Sequence, residues 1–134
     1  MQLQRTLELL RTRPGMLGVD GSFGQTVAFL AGMDAGQNGG LLRGFREWLV
    51  VRLGDGANLT WRGLILRLTF PDGCLGGVAN LSVEDEQRAI SVLFDQLTAF
   101  LAVRDSADGL LNVYDSYLKW LRSQDWYMPP EGEE

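Results

Sequence analysis

The strongest constraint on the fold is an apolar stripe with helical spacing in the second half of the chain. Within residues 82–104, apolar side chains recur every three or four positions: Ala89, Ile90, Leu93, Leu97, Phe100 and Leu101. This spacing places them on one face of an α-helix. Ser82 can cap the start of that helix, and the acids that follow it complement the helix dipole. The stripe therefore predicts one long helix whose apolar face must pack against other elements.

Shorter stretches on both sides of this segment show the same spacing. Leu3, Leu7 and Leu10, for example, share one face of a predicted first helix. Residues that start or stop helices separate these stretches. They are the Pro14–Gly15 corner, the capping box from Ser22 to Gln25, the break at 36–40, the loop at 54–58 and the interruption at 105–109. The predicted helices are therefore neighbours joined by short loops.

Two of these helices are predicted in more detail. The third is expected from about Leu41 to Leu53. In the last helix, six apolar side chains are expected to point into the core or to lie at the border of the buried face: Leu110, Leu111, Tyr114, Tyr117, Leu118 and Leu121.

Residues 59–70 fit two kinds of secondary structure. Trp61, Leu64 and Leu68 match helical spacing, whereas Leu64, Leu66 and Leu68 match the alternation of a strand. We favour a helix capped by Asn58, because the stretch is long for a strand and its neighbours are helical. A β-hairpin near residues 60–80 is the alternative. The predicted fold is all-α, a single domain of five to six packed helices over residues 1–128, with a flexible acidic tail at 129–134.

The stretch RTRPGMLG forms the corner between the first two predicted helices. Pro14 fixes its own φ angle and Gly15 permits a reversal of the chain. We expect Met16 and Leu17 to fill the gap between these helices. Arg11 precedes the corner, where a cation is favourable at a helix C-terminus. The corner is therefore interpreted as structural first and as a binding loop second.

The sequence argues against several kinds of catalytic, metal-binding and phosphate-binding site. The 134-residue chain has no histidine, which is the usual general base and the commonest transition-metal ligand. Its single cysteine, Cys74, has no histidine to activate it. The glycine-rich stretch at 71–80 lacks the spacing of known phosphate-binding loops. Glu84, Asp85 and Glu86 are consecutive, so their side chains diverge on a helix and cannot converge on one ion. We expect no catalytic residue, no metal site and no cofactor.

The expected location is the cytoplasm. The longest apolar runs are about five residues, far short of the ~20 that cross a membrane. The N-terminal residues mix charges into their apolar positions, unlike a signal peptide. A single cysteine is also typical of a reducing compartment. We therefore expect no membrane partner.

Charge is divided unevenly along the chain. Residues 1–81 hold eight Arg and six acids, whereas residues 82–134 hold eleven acids and four bases. The acidic half also holds Tyr and Trp side chains, and this mixture is typical of a binding surface for a basic protein. Nucleic acid is not expected, because stacking on bases needs a basic groove. The predicted partner face consists of Glu84, Asp85, Asp95, Asp105, Asp108, Tyr114, Tyr117, Trp120 and Trp126.

Several segments together resemble a group of small bacterial proteins. The segments are RPGMLG at 13–18, TVAFLAGMDAG at 26–36, GGLLRGFREWLVVRLG at 39–54, NLTWRGLILRL at 58–68 and LFDQLTAFLAVRD at 93–105. They are similar to that group's RPxMYxG, FLxGY, F-x-x-W and terminal phenylalanine-rich helix motifs. Some members resemble immunity proteins, which protect producers of antibacterial toxins. The resemblance implies a partner protein for this chain.

The sequence therefore predicts a binding protein without catalytic activity, whose most concrete form is an immunity protein that occludes a cognate toxin. The toxin is expected to present a basic surface. One alternative is a small-molecule-binding protein or carboxylate-based enzyme with a pocket between helices near Trp48 and Trp61. Another is an oligomer whose aromatic patch pairs with itself, so the free chain is expected as a monomer or a homodimer.

Overall fold

The computed structural model describes residues 2–73 and 81–130, and these residues form an all-α domain. Six α-helices and one short 3-10 helix, Pro14–Leu17, make up the described part. The α-helices are α1 (Gln2–Thr12), α2 (Phe23–Gly36), α3 (Phe45–Leu53), α4 (Trp61–Thr69), α5 (Val83–Arg104) and α6 (Gly109–Arg122). The all-α prediction is confirmed. The stretch at 59–70 is a helix, and no strand occurs within the described ranges; residues 74–80, including Cys74 and most of the glycine-rich stretch, lie outside them.

Helix α5 is the central element of the domain. The Ser82 side chain accepts a hydrogen bond from the backbone N–H of Asp85 at 3.1 Å, which caps the helix as predicted. Its apolar stripe is buried, and α2, α3, α4 and α6 all pack against it. Burial of this stripe stabilises the fold, because each fully buried aliphatic side chain contributes about 1.5–3 kcal/mol.

Aromatic rings fill the centre of the core. Phe45 of α3 lies 5.2 Å from Phe100 of α5 and 6.0 Å from Trp61 of α4, measured between ring centroids. Trp48 adds a second contact with Phe100 at 6.0 Å. Phe45 and Phe100 are completely buried. These tilted ring pairs join three helices at one point, which fixes the position of α3.

Helix α3 begins later than predicted. Residues 41–44 form a turn, and Gly44 occupies the N-cap with a φ of 88°. Two polar side chains hold this turn in place. Asp34 accepts a hydrogen bond from the backbone N–H of Leu42 at 2.7 Å, and Arg104 donates to the carbonyl of Gly40 at 2.8 Å. Leu42 is buried all the same, because the turn presses it onto the core.

The predicted cap of α4 is wrong by two residues. Thr60, and not Asn58, caps the helix, and its hydroxyl accepts a hydrogen bond from the backbone N–H of Gly63 at 3.2 Å. Asn58 is exposed. Arg46 of α3 binds the carbonyl of Leu59, which keeps that residue outside the helix.

The corner between α1 and α2 is also corrected. Met16 does not fill the gap between the helices, since 67% of its surface is exposed. Leu17 packs against the core, and Val19 is buried beside it. Gly18 ends the 3-10 helix with a φ of 77°, a conformation that suits glycine and turns Val19 inward. The corner therefore has the structural role that was predicted, with a different anchor.

Candidate functional site

Helix α6 lies across α3 at very short range. Gly44 has a φ of 88°, and a Cβ atom placed on it would lie 2.8 Å from the Cδ1 atom of Leu110, so both backbone and packing favour glycine here. Val113 is the buried side chain at the centre of the contact. Much of the remaining α6 surface is exposed.

Three aromatic residues, here named the aromatic cluster, lead from the core to the surface at the end of α6. The ring centroids of Tyr117 and Trp120 are 6.3 Å apart, and those of Trp120 and Trp126 are also 6.3 Å apart. Tyr117 and Trp120 are half-buried against the core. Trp126 stands edge-on to Trp120, and 59% of its surface is exposed. The structure thus brings together three of the nine predicted face residues.

A groove lies between α3 and α6. Its volume is about 270 Å³, and its lining, mostly apolar, is Trp48, Val51, Arg52, Val103, Asn112, Val113 and Ser116. We name it the α3–α6 groove. The Arg52 guanidinium lies 4.6 Å from the centre of the Trp48 ring, so a cation–π contact holds it at the rim. Residues four apart share one side of a helix, so the line of Asn112 and Ser116 continues to Trp120.

The predicted acidic residues do not form one face with these aromatic residues. Asp105 lines a different groove of about 290 Å³ between α1 and α5, whose rim also includes Glu8 and Arg11. Asp95 lies nearby and pairs with Arg11 at 3.1 Å. Glu84 and Asp85 lie at the opposite end of α5 from Asp105, about 30 Å away at 1.5 Å per helical residue. The structure therefore places Asp95 and Asp105 beside α1, and Glu84 and Asp85 at the far end of α5. Binding of a partner by these acids stays a prediction.

Three of the five predicted acids already have partners within the chain. Asp85 pairs with Arg88 at 3.5 Å and Asp105 with Arg104 at 3.2 Å, in addition to the pair of Asp95. The Arg104 side chain is mostly buried, but the pairs of Asp85 and Asp95 are largely exposed and contribute about 0–1 kcal/mol each, so a partner protein can replace these two at little cost. Asp108 differs from these acids. It occupies the N-cap of α6 with a φ of 55°, and its exposed carboxylate makes no capping hydrogen bond.

A second surface of α6 departs from the sequence prediction. Leu111 and Leu118, expected inside or at the border, are exposed by 67% and 42%, and Tyr114 is exposed by 37%. We name these three residues the outer stripe. Partial burial and the nearby Glu47 carboxylate raise the pKa of Tyr114, and Arg43 opposes this. The phenol of Tyr114 therefore stays neutral, and available for hydrogen bonding, at neutral pH.

The predicted pocket between helices near Trp48 and Trp61 is not a space between the two indoles themselves. Phe45 lies between the two indoles, with its ring centroid 6.4 Å from that of Trp48 and 6.0 Å from that of Trp61. The α3–α6 groove lies elsewhere around Trp48, on the side that faces α6. Sequence reasoning missed the groove residues Val51, Asn112 and Ser116; only their helical spacing relative to Trp48 and Trp120 indicates them.

No helix in residues 2–73 or 81–130 combines the length and apolar character needed to cross a membrane. Within the same ranges, no three side chains of His, Cys, Asp or Glu lie close enough together to hold a metal ion. Comparison of the chain with protein-family models, curated proteins and solved structures gives no match.

Proposed function

We propose that this chain is a protein-binding domain that acts by covering a surface of its partner, with the α3–α6 groove and the aromatic cluster as its docking site. The observation that carries the proposal is the position of Trp126. This indole is more than half exposed and is held edge-on against Trp120, which lies one helical turn after the groove residue Ser116. Exposed Trp side chains with fixed orientation are the residues that contribute most binding energy in protein interfaces.

The composition of the site supports a protein partner over a small ligand. The groove is open and its walls are mainly apolar, with Arg52, Asn112 and Ser116 as polar groups at its edge. Interfaces between proteins have this arrangement of an apolar centre, a polar rim, and enriched Trp, Tyr and Arg. Phe45 packs against both Trp48 and Trp61, which leaves little room for a small ligand between these two indoles.

The concrete form of the proposal is an immunity protein that occludes a toxin domain in the cytoplasm. The sequence resemblance supports this form, and so does the charge near the site. Asp108 lies one helical turn before Asn112 of the groove, with its carboxylate exposed. A basic side chain of the toxin would meet this carboxylate while an apolar side chain fills the groove. The mechanism is steric, because the bound domain prevents access of the toxin to its substrate.

A co-expression experiment tests the proposal. The probe is the toxin domain encoded by the reading frame adjacent to this gene, expressed in a sensitive bacterial host. We expect the wild-type chain to restore growth and the Ser116→Glu variant to fail, because a carboxylate in the groove opposes docking of an apolar group.

The matched control is Ala28→Glu, which adds the same charge to an exposed position of α2. It should protect as well as the wild type, and circular dichroism should show both variants folded. Equal protection by Ser116→Glu and by the control would contradict docking through the groove.

A further inference from the structure

We infer that a second copy of this chain docks on the outer stripe of α6, with the two α6 helices antiparallel. This inference goes beyond the proposed function, because it concerns a different side of α6. Leu118 is two residues from Ser116 of the groove, which is about 200° around a helix of 3.6 residues per turn. The apolar residues of the two surfaces therefore lie on different sides of α6, and Asp108 at the helix cap is the one residue that both interfaces use.

The spacing of the stripe is that of a helix pair. Leu111, Tyr114, Leu118 and Leu121 are separated by three, four and three residues, which is the apolar spacing of paired helices. Leu121 is half-buried and extends the outer stripe by one turn. A stripe of this spacing on the exposed side of an already packed helix has the form that a further helix would cover.

Charge along α6 selects a second copy in antiparallel orientation. Asp108 lies at the cap of the helix, whereas Lys119 and Arg122 lie in its last turn; Asp115 is already paired with Lys119 within the chain. An antiparallel copy places Asp108 of each helix beside the basic last turn of the other. A parallel copy would place like charges together, which is unfavourable.

One register buries the whole apolar set. When the two-fold axis crosses the interface at the level of residue 116 along the helix, Leu111 faces Leu121 of the second copy. Tyr114 then faces Leu118 of the second copy. In this register Arg122 of the second copy lies two residues, about 3 Å along the helix axis, from the position opposite Asp108, a distance that its long side chain spans. Two-fold symmetry then repeats each contact, as in other isologous dimers.

The expected dimer is weak. A helix of 14 residues is about 21 Å long. A single helix pair of this length buries less surface than the roughly 800 Å² per partner of a standard interface. Association should therefore depend on protein concentration, and also on salt, because exposed ion pairs contribute to it.

Sedimentation equilibrium of the full chain tests the inference. We expect the wild-type mass to rise from monomer toward dimer with concentration, and Leu118→Glu to remain monomeric throughout. Asp108→Asn, which keeps a residue that tolerates positive φ, should raise the dimer dissociation constant several-fold at low salt and have little effect at high salt. Ser116→Glu, on the groove side, should associate like the wild type.

Two results would overturn the inference: a wild-type chain that is monomeric at every concentration, or a dimer that Leu118→Glu leaves intact. Failure of this inference and failure of the proposed function give different results. Leu118→Glu should still protect against the toxin domain, whereas Ser116→Glu should not. Circular dichroism of each variant shows that a loss of dimer is not a loss of fold.

Discussion

The Arg46 guanidinium of α3 donates a hydrogen bond to the backbone carbonyl of Leu59, with 2.8 Å between Nε and the oxygen. It donates a second bond to the carbonyl of Ala57 and a third to the Glu47 carboxylate at 3.1 Å. One side chain thus holds the loop before α4 against α3. Because Glu47 and Tyr114 interact electrostatically, the same side chain also influences the α3 surface on which α6 rests.

Replacement of Arg46 by Met should destabilise the fold by about 1–3 kcal/mol, because two partly buried carbonyls lose their charged donor. Urea unfolding followed by circular dichroism measures this loss. Arg5→Met is the matched control, since Arg5 is exposed on α1 and should change the stability by less than about 0.5 kcal/mol. An equal, small effect of both substitutions would show that Arg46 does not hold the loop.

The glycine at the start of α3 should be intolerant of a side chain. Gly44→Ala combines a φ of 88° with a Cβ contact of 2.8 Å to Leu110, and is expected to cost about 1–3 kcal/mol. Gly15→Ala is the control, because no atom lies within 4 Å of its added Cβ and its φ is not positive. That change should be neutral or slightly stabilising. Thermal unfolding of both variants checks the difference, and a Gly44→Ala variant as stable as the wild type would contradict the close packing of α6 on α3.

Asp20, in the loop before α2, should make the free energy of unfolding depend on pH in the acidic range. Hydrogen bonds from the Ser22 hydroxyl and backbone N–H lower the pKa of Asp20 below its ordinary value of 3.8. Its folded pKa is lower than its unfolded pKa, so the charged form stabilises the fold above pH 3.8. This contribution is lost as the pH falls through the folded pKa. Asp20→Asn should therefore be less stable than the wild type at neutral pH, and the difference should shrink below pH 3.8. Urea unfolding at several pH values measures it, and a constant difference would refute the assignment.

Local signals predicted much of the fold. The cap of α5 at Ser82 and the cap of α2 at Ser22 depend only on side chains within a few residues, and both are confirmed. The cap of α4 was not predictable in this way. Thr60 and not Asn58 caps the helix because Arg46, which is 13 residues earlier in the sequence, holds Leu59 outside the helix.

The candidate site was less predictable than the fold. Periodicity shows which α6 residues are apolar, but the position of α3 decides which part of that arc is covered. Leu118 is therefore exposed although its spacing resembles that of a core residue. In the same way, Asp95 and Trp126 belong to one acidic half of the sequence, yet Asp95 lies beside Arg11 of α1 and Trp126 beside Trp120 of α6.

Calorimetric titration of the protein encoded by the adjacent reading frame, with the wild-type chain and with the Trp126→Ala variant, tests the central claim most directly. If the α3–α6 groove and the aromatic cluster form the docking site, loss of this indole should cost about 2 kcal/mol or more, which is roughly thirtyfold in Kd. Trp126 is exposed, so its removal should leave the fold intact. An unchanged Kd for Trp126→Ala would contradict the claim.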